Sequence, residues 1–260
     1  IRQDWAEYLD YCEVADRFVG EALVGLRLSG DAGNTLVIFM GDHGPGFHRS
    51  KMALNDLGLR VPLAIMGPGI EGGRVSQALV SELDLMPTLL DFLEIDPPKI
   101  QHGVSLRAIL ENRPGAKAHQ WIFAEIAHQV QQIDGGMQER SVYDGTYHLI
   151  YREGLGKPRT VNADLKDWKL WRNRSYAETV KQKDAFPLGF ELLSQIDPQS
   201  LGGKPPKFEL YDTKSDPDEI RNLAGDPRYR EQFDQLREAL KKWIMETGDK
   251  AVSVEVLMAE

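Results

Sequence analysis

Two short apolar runs, 35–40 and 61–66, enclose a polar, glycine-bearing stretch, and this pattern limits the chain more than any other. Neither run is long enough for a globular helix, and Gly33 and Gly41 bracket the first. Their length and composition predict strands, the first buried on both faces of a parallel sheet. The second ends in Gly67-Pro68-Gly69. Where the first strand would finish stands Gly41-Asp42-His43-Gly44. Ligand sites of open α/β sheets gather at that carboxyl edge, because its loops aim side chains into one crevice. An adjacent carboxylate and imidazole can offer oxygen and nitrogen to one cation. The same Asp-His-Gly also suits a tight turn with a capping carboxylate. His48, Arg49 and Lys51 follow in the same loop. Cations grouped beside a metal candidate suit an oxyanionic substrate, whose charge must be matched.

Around that stretch, 260 residues with 42% hydrophobic content suffice for one large or two small domains. A net charge of −9 argues against nucleic acid or an anionic membrane surface as main partner, though a local basic pocket could take a polyanion. No apolar run approaches bilayer length, so no membrane span is expected. One cysteine rules out an intrachain disulfide framework. The opening IRQDWAEYLD carries no signal peptide and no domain start, so the sequence is expected to begin mid-protein.

Trp5, Leu9, Cys12, Ala15, Val19, Leu23 and Leu26 recur at helical spacing and predict a helix over 3–29 whose stripe packs on the sheet. Ser81 can cap a helix running to about 93, with Pro87 harmless in its early turns. Asp84 there is a helix-start carboxylate or a catalytic acid. A short helix follows over 105–110. From about residue 117 the chain turns β-rich. Strands are predicted at 121–127, 140–143, 147–152 and 208–211, with Asp144-Gly145 as a hairpin turn. A helix over 226–247 presents Phe233, Leu236, Leu240, Trp243 and Ile244 for packing. Residues 154–206 mix Pro, Gly, aromatics and charges, with short helices expected at 163–171 and 176–183 and a glycosylation-type Asn173-Arg174-Ser175. The acidic turn 212–218 lacks the spacing of a calcium loop and is read as structural.

Several of these segments resemble, in order, the second half of a sulfatase of the alkaline phosphatase-like superfamily. They are Asp42-His43-Gly44 with Lys51, Asn55-Asp56-Leu57-Gly58-Leu59-Arg60-Val61-Pro62-Leu63, Gly67-Pro68-Gly69, and Asp84-Leu85-Met86-Pro87-Thr88-Leu89-Leu90-Asp91. Gly103-Val104-Ser105-Leu106, Arg140-Ser141-Val142, Glu209-Leu210-Tyr211-Asp212, Asp216-Pro217-Asp218-Glu219 and Asn222-Leu223 continue it. The Trp-rich middle and the run Lys242-Trp243-Ile244-Met245-Glu246-Thr247 look most like the heparan N-sulfatase (sulfamidase) branch. The resemblance implies an α/β fold, a partial sulfatase-like sandwich with a C-terminal antiparallel β subdomain and terminal helix. Residues 1–116 would be the later part of the α/β core and 117–260 the subdomain.

For the complete enzyme, the resemblance implies hydrolysis of a sulfuric ester or sulfamate on a sulfated small molecule or glycan. Asp42 and His43 would be metal ligands, for calcium or, given an imidazole where many relatives have asparagine, manganese or zinc. Lys51 matches the basic residue contacting the sulfate and would be catalytic. Arg140, His128, Arg49 and His48 would contact substrate, although Arg140 could equally be a strand-surface arginine. The family's nucleophile is a formylglycine made from cysteine in a Cys-x-Pro-x-Arg pattern. Here Cys12 is followed by Glu13-Val14-Ala15-Asp16, so it is expected to be a buried helix residue. The nucleophile would then lie in an N-terminal half, which becomes the implied partner of this chain. The family suggests a periplasmic, secreted or lysosome-like compartment. A phosphonate monoester or phosphodiester hydrolase of the same superfamily, or a non-catalytic module for sulfated glycans, are the alternatives.

Overall fold

The computed structural model describes residues 2–51, 53–99, 102–126, 138–154, 180–198 and 204–259. His128, the 163–171 and most of the 176–183 helix expectation, and Asn173-Arg174-Ser175 lie outside the described residues. The chain forms two units, one of residues 2–41 with 62–122 and the other of residues 42–61 with 123–260. Among the described residues no helix is long and apolar enough to cross a membrane.

The unit of residues 2–41 and 62–122 opens with α1 (Arg2–Ser29), which Gly30 ends in the left-handed region. The predicted helix forms, but of its stripe Trp5, Leu9, Cys12 and Ala15 are exposed and Val19, Leu23 and Leu26 only half-buried, so the expected packing of the stripe is not seen among the described residues. Cys12 is exposed, which corrects its expected burial. Strands β1 (Val37–Met40) and β2 (Leu63–Met66) follow. They pair antiparallel, Val37 opposite Met66 and Met40 opposite Leu63, and make a two-stranded sheet. The expected parallel pairing is therefore overturned. A parallel neighbour needs a crossover connection, whereas here the chain leaves β1 and returns directly alongside it. Nor is the sheet buried on both faces, since Phe39, Leu63 and Met66 are exposed.

In the same unit, Ser81 caps a 3-10 turn at Glu82–Asp84 that runs into α3 (Leu85–Phe92), with Pro87 in its first turn. Asp84 is fully buried. One carboxylate oxygen accepts from the Ser81 amide at 2.8 Å. The other accepts from the Val104 amide at 2.9 Å and contacts His119 Nε2 at 2.8 Å. Gly103 permits this, because a Cβ there would stand 2.0 Å from the Leu83 carbonyl oxygen. Asp84 thus ties the helix start to the segment preceding α4 (Arg107–Leu110), as a helix-start carboxylate.

The unit containing residues 42–61 and 123–260 is built on a four-stranded sheet ordered β3 (Ile122–Ile126), β4 (Gln138–Tyr143), β5 (Tyr147–Glu153) and β6 (Phe208–Asp212). Asp144-Gly145 makes the β4–β5 turn. Asp144 Oδ1 accepts from the amides of Thr146 and Tyr147, and Gly145 takes φ +92°. β5 pairs antiparallel with both neighbours, Leu149 opposite Val142 and Leu210. Alternation then sorts the side chains. Val142, Leu149, Tyr151, Leu210 and Phe208 share one face, where Phe208 meets Phe233 of α6 (Arg230–Thr247) edge-on. Leu236, Leu240 and Ile244 of α6 are buried there, and Trp243 stacks on Phe123 at 5.2 Å. The other face presents Glu139, Ser141, His148, Ile150, Arg152, Glu209 and Tyr211. Ile150 and Tyr211 pack there against Leu54, which brings residues 42–61 onto the sheet.

Candidate active site

Residues 42–61 hold their shape through contacts around a few carbonyl groups. The amides of Phe47 and Lys51 both donate to the Pro45 carbonyl, at 2.8 and 3.0 Å, so Lys51 is folded back beside residue 45. Gly44 donates to the Gly58 carbonyl at 3.0 Å and Ser50 Oγ to the Leu57 carbonyl at 3.1 Å. The two arms of the loop run so close that a Cβ on Gly44 would stand 1.8 Å from Leu57 O, and one on Gly58 2.4 Å from Ala53 O. Both positions therefore require glycine for close approach.

On this frame Asp42 and His43 stand side by side, with Asp42 Oδ2 3.5 Å from His43 Nε2. The Asp42 side chain is 85% exposed and that of His43 39%. His43 Nδ1 lies 2.9 Å from the Gly44 carbonyl oxygen, which can only accept, so Nδ1 donates and Nε2, on the side of the Asp42 carboxylate, is the nitrogen available to a cation in the neutral ring. One nitrogen and one oxygen donor thus face a shared space, which fits one edge of a divalent-cation site. Among the described residues no group of three or more His, Cys, Asp or Glu could hold a metal, so the pair does not complete such a site by itself.

The other cations of the loop turn inward. Arg49, in the left-handed region at φ +53°, donates to the carbonyl oxygens of Asp218 (3.1 Å) and Glu219 (2.5 Å) and lies over the Tyr211 ring, 5.6 Å from its centroid. His48 Nδ1 is 3.8 Å from the carboxylate of Asp197, just beyond α5 (Pro187–Ile196). Arg140 is only 1% exposed. Its Nε donates to Asp249 Oδ2 at 2.6 Å, with Glu125 3.4 Å away, and Nη1 donates to the carbonyls of Ile126 and Glu139. The strand-surface alternative for Arg140 is thereby corrected to a buried ion pair. Its Nε and Nη1 are thus engaged by carboxylate and main-chain oxygens.

Sequence reasoning passed over Glu219. It is 1% exposed, also left-handed at φ +53°, and both carboxylate oxygens are taken. Oε2 accepts from Asn55 Nδ2 at 2.8 Å and the Asp56 amide at 3.0 Å; Oε1 accepts from His148 Nδ1 at 2.5 Å. The available signal was the lone histidine inside the otherwise regular strand β5, which has to find a partner on the face it shares with Ile150 and Arg152. Burial on its own raises the Glu219 pKa. The His148 imidazole and the hydrogen bonds from Asn55 and Asp56 outweigh it and leave the pKa below its usual value. Asp249 behaves alike, burial being outweighed by Arg140. Asp56 is shifted up, by burial and then by the nearby Glu219.

The sign for pH follows. A depressed carboxylate contributes stability that is complete above its unfolded pKa, about 3.9 for Asp and 4.3 for Glu, and lost as pH falls through its folded value. Asp56 opposes this, since protonation relieves its raised pKa. Asp226, held down by its hydrogen bond from Arg228, adds to Glu219 and Asp249, so with three depressed carboxylates against one the urea midpoint of this unit should fall between pH 6 and pH 3. A midpoint that rises on acidification would show that Asp56 dominates.

Residues 2–95 match the family model described as Sulfatase. An ulvan-active sulfatase of Formosa agariphila is 30% identical over 253 residues, covering 96% of this chain and 39% of that protein. The N-sulphoglucosamine sulphohydrolase of Homo sapiens is 31% identical over 247 residues, covering 90% of this chain and 46% of that protein. The solved structure of a 2-O GAG sulfatase superposes with a TM-score of 0.58 at 25% identity, covering 84% of this chain and 37% of that one. The chain thus spans less than half the length of these relatives. The chain is thus similar to sulfatases along nearly all of its length, in sequence and in fold, and residues 2–95 carry the Sulfatase family model.

Proposed function

We propose that this chain supplies part of the active site of a sulfatase that hydrolyses a sulfuric ester or sulfamate on a sulfated glycan. The observation that carries the reading is the folded-back loop, which brings Lys51 beside Pro45 on the same short turn as Asp42 and His43. Hydrolysis breaks the S–O or S–N bond, adds water across it, and yields sulfate with an alcohol or amine. Negative charge grows on the departing oxygen or nitrogen and stays on the sulfuryl oxygens. The Lys51 ammonium would donate to a sulfate oxygen and offset that charge. Asp42 and His43 would contribute two ligands to a divalent cation, which when bound supplies Lewis-acid polarisation. Calcium is the expected ion, and the imidazole admits manganese or zinc. The glycan preference is supported by the relatives, one active on ulvan and one a sulphoglucosamine sulphohydrolase.

Cys12 does not stand in a Cys-x-Pro-x-Arg pattern, and no other cysteine is present in these residues. The 260-residue chain alone should therefore turn over no sulfate ester at a useful rate; turnover by the pure chain would overturn the reading of an incomplete site. Its binding half is tested by titrating the chain with inorganic sulfate and following backbone amide NMR signals. The Lys51, Asp42 and His43 signals should shift saturably, and Lys51→Ala should weaken the binding at least tenfold, about 1.4 kcal/mol. Equal binding by Lys51→Ala would sink the assignment of Lys51. Inorganic phosphate run in parallel distinguishes the phosphonate or phosphodiester alternative, which predicts the tighter binding for phosphate.

A further inference from the structure

The segment around Lys51 has only one short helix, α2 (Asp56–Leu59), so regular structure does little to hold it. Leu54 packs it on Ile150 and Tyr211, and hydrogen bonds from outside hold it at two places, one on each side of Lys51. Before it, Arg49 is fixed by the main-chain carbonyls of Asp218 and Glu219. After it, the Asn55 side chain and the Asp56 amide are fixed by Glu219 Oε2. Both ties reach Glu219, although Arg49 also donates to the Asp218 carbonyl and, at 3.3 Å, to the Tyr211 hydroxyl. Glu219 is in turn pinned to the sheet by His148 of β5, and the turn that carries it is closed by its own amide donating to Asp216 O at 3.0 Å. His148 Nε2 is buried and has no hydrogen-bond partner among the described residues, so among them its imidazole makes its side-chain hydrogen bond to Glu219.

We infer that Glu219 is a positioning residue for the sulfate site: through Arg49, Asn55 and Asp56 it fixes where the Lys51 segment stands on the sheet. The inference rests on the sulfate-binding reading of Lys51 given above. A glutamate with both oxygens and its carbonyl engaged by two different elements transmits the sheet's rigidity to an otherwise irregular loop. An amide in its place cannot serve the same partners. In Glu219→Gln the side-chain oxygen could accept from Asn55 and Asp56, but the NH₂ group would face His148 Nδ1, forcing that ring to give up its donor or break the contact.

The test uses Glu219→Gln in the 260-residue chain, with amide hydrogen exchange and inorganic sulfate titration as paired readouts. Exchange at the Lys51, Ala53 and Gly58 amides, each bonded within the loop, should accelerate at least tenfold while Leu149 and Tyr151 of β5 change less than twofold. Sulfate affinity should fall at least fivefold. Should Glu219→Gln not fold, Asn55→Ala removes a loop tie without touching the Glu219–His148 contact, and the same local acceleration is expected. Unchanged loop exchange in both variants overturns the inference. So does acceleration of loop and sheet by the same factor, which is what a purely structural role predicts. A wild-type chain without any sulfate-induced shift would overturn the proposed function instead, because loop exchange is read without sulfate.

Discussion

Arg152→Met should cost this chain about 3–5 kcal/mol, enough to unfold most of the β3–β6 unit at ambient temperature. Arg152 lies on the loop-facing side of β5, directly opposite Glu139 of β4. Its Nε donates to Glu139 Oε2 at 3.1 Å and its Nη2 to Glu209 Oε2 at 3.0 Å, and all three side chains are buried. Burial alone disfavours the guanidinium charge, but the Glu209 and Glu139 carboxylates outweigh it and hold the proton more firmly than usual. Methionine matches the length of the stem and removes the charge, leaving two carboxylates facing each other across an emptied position. The loss is one of compensation and not of net ion-pair energy, because a buried triad exchanged whole for apolar residues is often neutral or better. The triple variant Glu139→Leu, Arg152→Met, Glu209→Leu should therefore recover most of the stability lost in Arg152→Met. Urea midpoints of the two variants check this. A triple variant as unstable as the single one would mean that the row contributes through more than charge balance.

That charged row also shows why some of the structure was legible in the sequence and some was not. The hairpin at Asp144-Gly145 and the helix carrying Phe233, Leu236, Leu240 and Ile244 follow from local chemistry, a turn that needs positive φ and a stripe at helical spacing, and both form. Strand direction for β1 and β2 is a property of the connection, and a long polar insertion looks the same in sequence whether it crosses over or comes straight back. Arg140 and Glu219 are harder still. Their partners, Asp249 and the Asn55-Asp56 pair, lie 109 and about 164 positions away, and no short motif encodes such a meeting. The same contacts explain why residues 42–61 group with residues 123–260 and not with the strands that flank them in sequence. In the site, Asp42, His43 and Lys51 were visible because they crowd one loop. The residue holding that loop was not, because an acidic turn rich in Asp and Pro reads as solvent-exposed structure wherever it occurs.

Gly44→Ala should damage the loop more than any other single methyl group added to it. The new carbon would stand 1.8 Å from Leu57 O and 2.6 Å from Ser50 Oγ, closer than any real contact allows. The serine can rotate, but the Leu57 carbonyl is main chain and sits beside Gly58, whose own carbonyl receives the Gly44 amide. Relief therefore requires the two arms of the loop to part, which breaks that hydrogen bond and shifts Asp42 and His43 together. Overpacking of this kind costs about 3 kcal/mol when backbone must move. The atoms crowding residue 44 all belong to the loop, so the cost should appear as a locally opened loop: fast amide exchange over residues 42–58, at least tenfold weaker sulfate binding, and protected strands. Gly20→Ala is the matched control, because that glycine lies inside α1 with nothing within 4 Å of the added carbon. It should stabilise the helix by about 0.5–1 kcal/mol and leave sulfate binding unchanged. If Gly44→Ala bound sulfate as the wild type does, the close packing of the two arms would be irrelevant to the site, and the link between loop shape and anion recognition would fail.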